Sequence, residues 1–215
     1  MTLLFVIGWL GGLTSTVMLA PQAVALLRTG DTKGMAWPLW VVFVGTTLGW
    51  WMHGLKLGQA FMMVANTVSF VTVIISLWYL RRDRKLPSWW WVVPGLVFAG
   101  ILATLDRTVG SAAFGMTVVT PIAIAKIMQG VQILRDPKVT GVSLTSWLVQ
   151  LANELIWLTW GLMAPDAGTI ISACVTATCN AFVLVALLMR RGGFLWRVQK
   201  RNRPPRQALR ACHPS

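Results

Sequence analysis

Two charged side chains lie within long apolar stretches of this 215-residue chain, where a charge is costly unless it is paired or used. Helix rise places Lys126 about 13 Å from one end of its stretch, and Glu154 lies near the middle of the next stretch, beside Asn153. The two residues could form an ion pair that locks the second half of the chain. Alternatively, Glu154 is a proton-coupling or cation-recognising group, or a protonated carboxyl group hydrogen-bonded to Asn153. The sequence leaves these three interpretations open.

Few other residues have types and spacings that could do chemistry. No cluster of His, Cys, Asp and Glu has metal-ligand spacing, and no phosphate loop or nucleophile–base set is present. The three cysteines give no disulfide framework, because two lie in one apolar stretch and the third in a basic tail. His53, at the end of an apolar stretch, is interpreted as an interfacial residue. We therefore expect no metal, no cofactor and no enzymatic activity.

The apolar stretches themselves predict membrane-spanning helices. The chain is 56% hydrophobic and only 12% charged, and its apolar residues occur in blocks of roughly 20, the length that crosses about 30 Å of hydrocarbon. The first block lacks the basic start and cleavage site of a signal peptide, so it is expected to remain. The predicted fold is an all-α membrane protein of seven transmembrane helices. These are Leu3–Leu27, Ala36–Lys56, Ala60–Leu80, Trp89–Leu105, Val109–Leu134, Val142–Met163 and Gly168–Met189.

The basic residues predict an orientation. Loops on one side, together with the C-terminal tail, hold 16 of the 19 lysines and arginines, whereas the opposite side holds only Lys56 and Arg107. The positive-inside rule then places the N-terminus outside and the C-terminus in the cytoplasm of a multi-pass plasma-membrane protein. The tail, residues 190–215, is expected to be disordered and to attract anionic lipid. Nucleic acid is not an expected partner.

An internal repeat organises the predicted helices. An offset of 107 residues aligns residues 20–54 with the second half at ten identities in 35 positions, among them Trp50 on Trp157. The predicted domains are a first three-helix repeat (1–80), a loop and linker helix (81–108), a second repeat (109–189) and the tail. Because one helix separates two three-helix units, the units are parallel copies, and a translocation path at their interface is the default expectation.

The sequence Ala20-Pro21-Gln22, followed by Arg28 and Gly34, resembles the PQ-loop motif. The 3 + 1 + 3 layout is similar to that of the SWEET sugar transporters and their PQ-loop relatives, over Leu3–Met189. This resemblance implies a central cavity between the units and uniporter-like alternating access. It also implies hinge prolines in the first helices, and a pocket lined by a tryptophan of the second helix and an asparagine of the third.

In the first unit these family features map onto Pro21, Trp50 and Asn66. The second unit departs from the pattern, since Met128 replaces the hinge proline and Thr176 replaces the asparagine. An asymmetric pocket is therefore expected.

Trp50 and Trp157 are candidates for stacking on a sugar ring, with each indole N–H fixing its orientation. The alternative is a place in the aromatic belt at the membrane interface. Thr176 and Asn180 are one turn apart and share a helix face, so Asn180 is expected to replace the missing asparagine in part. Asn153 is a further candidate contact.

Gln22 and Gln129 occupy equivalent positions near the predicted cytoplasmic ends of their helices. They could hydrogen-bond across the interface and close an inner gate, with Pro21 as its hinge, or they could cap helix ends.

The leading expectation is a transporter of a small polar solute, with a sugar placed first. A proton-coupled amino-acid carrier, which would depend on Glu154, and a non-transporting receptor or scaffold are the alternatives. The sequence leaves open whether copies of the chain form a homo-oligomer.

Overall fold

A computed structural model of the chain describes residues 2–32, 35–87, 89–135 and 143–191. These ranges form seven α-helices and contain no strand, so the all-helical prediction is confirmed for this part of the chain. The predicted disordered tail lies beyond Arg191, outside the described residues. The helices are α1 Thr2–Thr29, α2 Trp37–Leu57, α3 Ala60–Arg84, α4 Trp89–Thr108, α5 Ser111–Arg135, α6 Leu144–Met163 and α7 Ala167–Arg191.

Four of these helices, α1, α3, α5 and α7, are long and apolar enough to cross a membrane. Their outward faces carry large apolar side chains, such as Leu10, Leu13 and Val17 of α1, that are about half exposed or more. Apolar surface of this extent is unfavourable in water and favourable in lipid. The chain is therefore an all-helical membrane protein.

Each three-helix unit has the same packing order. α3 packs against both α1 and α2, and α7 packs against both α5 and α6, so the third helix lies in the middle of each unit. A close backbone approach supports this order in the second unit. A Cβ atom on Gly115 of α5 would lie 2.5 Å from the carbonyl oxygen of Gly168 in α7, so only glycine fits there without a backbone shift.

The two units meet along two seams. At one seam α1 packs directly against α6. The internal repeat makes α5 against α2 the equivalent seam, but there α4 packs against both helices and direct contact is slight. The linker helix therefore fills one side of the interface, and the interface is asymmetric.

The connections define two ends of the bundle. We call the short-turn end the one where α2, α4 and α6 end and α3, α5 and α7 begin, because only residues 58–59, 109–110 and 164–166 connect those helices. Gly58 makes one such turn by taking a left-handed conformation, φ 67°, at the end of α2. At the opposite end, Thr32 donates to Asp83 at 2.8 Å and ties the chain after α1 to the end of α3.

Candidate functional site

A cavity of about 210 Å³ lies between the two three-helix units. Its wall is built by α1, α2 and α3 from the first unit and by α5, α6 and α7 from the second. These helices are the apolar segments of the sequence, and all of them except α5 turn one or more polar or aromatic side chains toward the cavity. The polar and aromatic side chains at the wall are Ser15, Trp50, Asn66, Ser69, Asn153, Glu154, Trp157, Thr169, Ser172 and Thr176.

The structure brings most of the sequence-predicted contacts to this one cavity. Trp50, Asn66, Asn153, Trp157 and Thr176 all lie at its wall, although more than 100 residues separate the first from the last. They come from four helices in two units. Their part in binding a solute stays a prediction.

The paired tryptophans are not equivalent in the structure. The indole N–H of Trp157 donates to the hydroxyl of Ser15 at 3.0 Å, across the seam between α6 and α1. Trp157 can therefore offer a solute its ring face but not its N–H, contrary to the expectation that both N–H groups orient a sugar. Trp50 packs edge-on against Phe114, with ring centres 4.9 Å apart.

Asn153 reinforces the same seam. Its Oδ1 atom accepts hydrogen bonds from Thr14 at 2.6 Å and from Ser15 at 3.2 Å, both on α1. Asn153 is buried, so these bonds satisfy a polar group that would otherwise be costly. Asn153 therefore joins the units as well as lining the cavity.

Asn66 and Thr176, which the repeat aligns, present different groups to the cavity. The side-chain amide of Asn66 donates one hydrogen bond to the carbonyl oxygen of Met62 at 2.9 Å, which leaves its own oxygen and a second N–H. The hydroxyl of Thr176 donates to the carbonyl oxygen of Ser172 at 2.6 Å, so its oxygen remains only as an acceptor. The expected asymmetry of the pocket is present at this pair.

Asn180 departs from its predicted place. It is fully buried and lies behind the cavity wall, where its Oδ1 atom accepts a hydrogen bond from Nζ of Lys126 at 2.8 Å. The reason is that the basic group of α5 needs a partner in the apolar interior. In this structure the amide oxygen of Asn180 is used by Lys126, and Asn180 does not line the cavity.

Lys126 and Glu154 lie close together, as the ion-pair interpretation requires. Their charged atoms are 3.8 Å apart, and Lys126 also lies over the ring of Trp147 at 5.9 Å. With Asn180, the pair connects α5, α6 and α7 within the second unit. Glu154 also lines the cavity, so the second interpretation, a proton-coupling or cation-recognising carboxylate, keeps a geometric basis.

The predicted inner-gate residues are less completely described. α1 continues as a helix through Pro21 and Gln22, whose side chains lie outside the described residues. Gln129 lies in α5 with its side chain partly exposed. The gate and hinge assignments therefore stay predictions.

His53 shows a site that the sequence interpretation missed. It is fully buried at the short-turn end instead of interfacial. Its Nδ1 atom is 2.9 Å from Oδ2 of Asp106 in α4, and its Nε2 atom is 3.1 Å from Oδ2 of Asp166 in the α6–α7 turn. Its ring stacks on Phe114 at 4.6 Å. Lys56 also contacts Asp106, at 2.9 Å.

A signal for this cluster was present in the sequence. The chain has only six acidic residues, and two of them, Asp106 and Asp166, flank predicted helix ends on the same side as His53. Which of them would reach the imidazole depends on helix packing, which the sequence does not show.

Asp166 is held in its charged form. Burial alone would raise the pKa of its carboxyl group, but the hydrogen bonds from His53 and from the backbone N–H of Thr169, with the charge of His53, outweigh burial and lower the pKa well below its ordinary value. The backbone N–H of Thr169 donates to Oδ2 at 2.8 Å. Because the pKa is lowered on folding, these contacts stabilise the fold at neutral pH, and that contribution is lost only as the pH falls through the lowered pKa.

A scan against protein-family models matches none of them, and no curated protein is similar enough to count as a relative. The geometry of the cavity and of the cluster around His53 is therefore the basis for assigning a function.

Proposed function

We propose that this chain is a membrane transporter that moves a small polar solute by alternating access between its two three-helix units. The observation that carries this proposal is the cavity of about 210 Å³ between the units, with polar side chains contributed by both. A cavity shared by two parallel repeats changes its access when one unit rocks against the other. A receptor or scaffold on the same fold would not need polar groups facing an interior space, where they are costly.

The proposal includes seven membrane spans. α2, α4 and α6 have 20 or 21 residues each, which is about 30 Å of helix and matches the hydrocarbon thickness. They hold ten of the chain's 13 tryptophans, and tryptophan lowers a mean hydropathy although it suits the membrane interface. The positive-inside rule favours the short-turn end as the outer one, in the plasma membrane. The resemblance to SWEET and PQ-loop transporters agrees with this layout.

A sugar is the leading solute. The cavity combines two indole rings with neutral amides and hydroxyls, and indole rings suit the apolar face of a sugar while the polar groups suit its hydroxyls. Trp50 and Trp157 would stack, and Asn66 would supply both a donor and an acceptor.

A proton-coupled carrier of an amino acid is the second candidate, and the position of Glu154 favours it. Glu154 is the acidic residue at the cavity wall, and it lies 3.8 Å from Lys126, beyond hydrogen-bond distance. A carboxylate so placed could bind a solute ammonium group or exchange a proton.

Uptake into proteoliposomes tests the proposal. The purified full-length protein should carry radiolabelled hexoses or amino acids into the vesicles, and Asn66→Ala should lower that flux. Thr67→Ala is the matched control, because Thr67 is exposed on the same helix and its hydroxyl bonds only to its own helix. No flux of any of these solutes, together with no effect of Asn66→Ala, would show the proposal to be wrong.

Glu154→Gln separates the two solute classes. A sugar uniporter should keep its flux at neutral pH in this variant, because no proton moves with the solute. A proton-coupled carrier should lose the pH dependence of its flux, since glutamine cannot take up the proton.

A further inference from the structure

The most unusual group outside the cavity is the buried cluster of His53, Asp106 and Asp166, which we call the histidine cluster. Each ring nitrogen of His53 is within 3.1 Å of a carboxylate oxygen, on two different elements. His53 comes from the first unit, Asp106 from the linker helix and Asp166 from the second unit. The cluster therefore joins all three parts of the chain at the short-turn end.

Hydrogen-bond chemistry determines which form of the imidazole fits this arrangement. A neutral imidazole has one N–H, so it can donate to only one of the two carboxylates and must turn a lone pair toward the other. An imidazolium has two N–H groups and donates to both. The positions of the two carboxylates are those that suit the protonated ring.

The charges around His53 lead to the same form. Asp106 faces it from α4, Asp166 faces it from the α6–α7 turn, and Lys56 of α2 contacts Asp106. α5 contributes the uncharged ring of Phe114. With His53 protonated, two cations balance two carboxylates. Without that proton, one buried negative charge is uncompensated, which is strongly unfavourable.

The histidine cluster also adjoins the cavity. Trp50, which lines the cavity, packs edge-on against His53 with ring centres 5.5 Å apart. Thr169, another wall residue, donates its backbone N–H to Asp166. A change in the cluster is thus passed directly to two residues at the wall.

We propose that the histidine cluster is a proton-binding site that holds the short-turn end closed while His53 is protonated. The proton comes from water at that end and binds the ring nitrogen that lacks one. When the pH rises and the proton is lost, one of the two hydrogen bonds is lost with it. The linker helix and the α6–α7 turn then separate from α2, and the cavity opens toward the short-turn end. Only the interpretation of this opening as a transport step rests on the proposed function.

The protonation of His53 can be measured directly, because the chain has only two histidines. In the His213→Gln variant, ¹⁵N-histidine labelling leaves the imidazole of His53 as the single signal. We expect both nitrogens to be protonated at acidic and neutral pH, and one of them to lose its proton as the pH rises. A ring with one protonated nitrogen throughout the range would overturn the proposal.

Opening of the short-turn end can be measured as a distance between spin labels. Cysteines at the exposed positions Leu55, near the end of α2, and Val109, directly after α4, carry the labels in a full-length chain whose native cysteines are replaced. We expect one short distance at acidic pH and a growing longer population as the pH rises. His213→Gln should leave this response unchanged.

Two variants should abolish the pH response in opposite directions. The glutamine of His53→Gln can donate to one carboxylate, but it has no donor to place at the other. The longer distance should therefore dominate at every pH. Asp166→Asn can donate to a neutral His53 while that ring donates to Asp106, so the short distance should persist at every pH. If His53→Gln fails to fold, Asp166→Asn still decides the matter.

The alternative outcomes are distinct. A pH response that survives in Asp166→Asn would overturn the proposal, and a response that disappears in Glu154→Gln would assign the proton to the cavity instead. If the labels respond as expected but no solute is carried, the proposed transport function fails and the proton-binding site stands. If solute is carried but the labels do not respond, the proton-binding site fails and the proposed transport function stands.

Discussion

His53 and Trp160 occupy equivalent positions in the two units, 107 residues apart, yet they have opposite surroundings. Both are fully buried at the short-turn end, at 0% and 1% exposure. His53 lies between two carboxylates of other elements. Trp160 packs edge-on against Phe61, with ring centres 5.4 Å apart, in a cluster of apolar side chains.

The difference shows how two copies of one unit can form an interface in which only one seam responds to pH. The seam between α1 and α6 is held by aromatic packing near Trp160, which pH does not change. The seam filled by α4 is held by the histidine cluster, which the loss of a proton weakens. Motion of the units is then expected to pivot on the aromatic seam and to open the charged one.

Deeper in the bundle the charges lie in the other unit. Lys126 and Glu154 face each other in the second unit, where the repeat places Leu19 and Thr47 in the first. The two ionic groups therefore differ in depth and in reach: the histidine cluster joins all three parts of the chain at the short-turn end, and the Lys126–Glu154 pair lies within the second unit.

The largest effect is expected from making the first unit resemble the second. His53→Trp removes the cation between Asp106 and Asp166 and leaves two buried carboxylates, so the free energy of unfolding should fall by about 3–5 kcal/mol. Thermal unfolding of the purified protein measures this, with His213→Trp as the control at the other histidine. An unchanged melting temperature would mean that the cluster does not hold the units together.

A second test compares the glycines that the repeat aligns, Gly8 and Gly115. A Cβ atom on Gly115 would lie 2.5 Å from the backbone oxygen of Gly168, whereas one on Gly8 would meet only the ring of Phe61. Gly115→Ala should cost about 1–3 kcal/mol of unfolding free energy, because backbone cannot move aside, and Gly8→Ala should cost less. Gly100→Ala, with no atom within 4 Å of the new Cβ, is the control. Equal losses at both positions would contradict the difference in packing.

A double-mutant cycle examines the ionic group of the second unit. If Lys126 and Glu154 interact, the losses from Lys126→Met and Glu154→Gln should not add, and the coupling should be about 0.5–3 kcal/mol. Chemical or thermal unfolding of the four proteins gives this coupling. The control cycle pairs Lys85→Met with Glu154→Gln and should give no coupling, because Lys85 is exposed directly after α3. If the losses from Lys126→Met and Glu154→Gln are additive, the ion-pair interpretation is wrong.

The smallest effect is expected at the seam between α1 and α6. Ser15→Ala removes the acceptor for the indole N–H of Trp157 and one of the two donors to Asn153. Asn153 keeps its shorter bond from Thr14, so the loss should be about 0.5–1.5 kcal/mol of unfolding free energy, mainly from the Trp157 bond. Thr16→Ala is the matched control, since the hydroxyl of Thr16 bonds to the carbonyl oxygen of Gly12 in its own helix. If the two variants unfold alike, the bond across the seam contributes little.

Much of the candidate site could be predicted without the structure. Trp50, Asn66 and Glu154 are polar or amphipathic groups inside apolar segments, and their depth along each helix indicates a common level. The predictions at Asn180 and at the N–H of Trp157 departed from the structure, because each group is used by a neighbouring helix. Depth can be counted along one helix, but the direction of a side chain depends on its packing partners.

The sequence by itself determined the all-helical membrane class, the number of helices among the described residues and the internal repeat. The membrane class and the number of helices follow from the free energy of transferring continuous apolar segments from water to lipid, which is a local property of the chain. The repeat follows from residue identities at a fixed offset. Only the tertiary structure decided that the linker helix fills one seam and that His53 lies between Asp106 and Asp166. These contacts join residues 53 and 113 positions apart. They arise because buried charges must find partners wherever the packed helices place them.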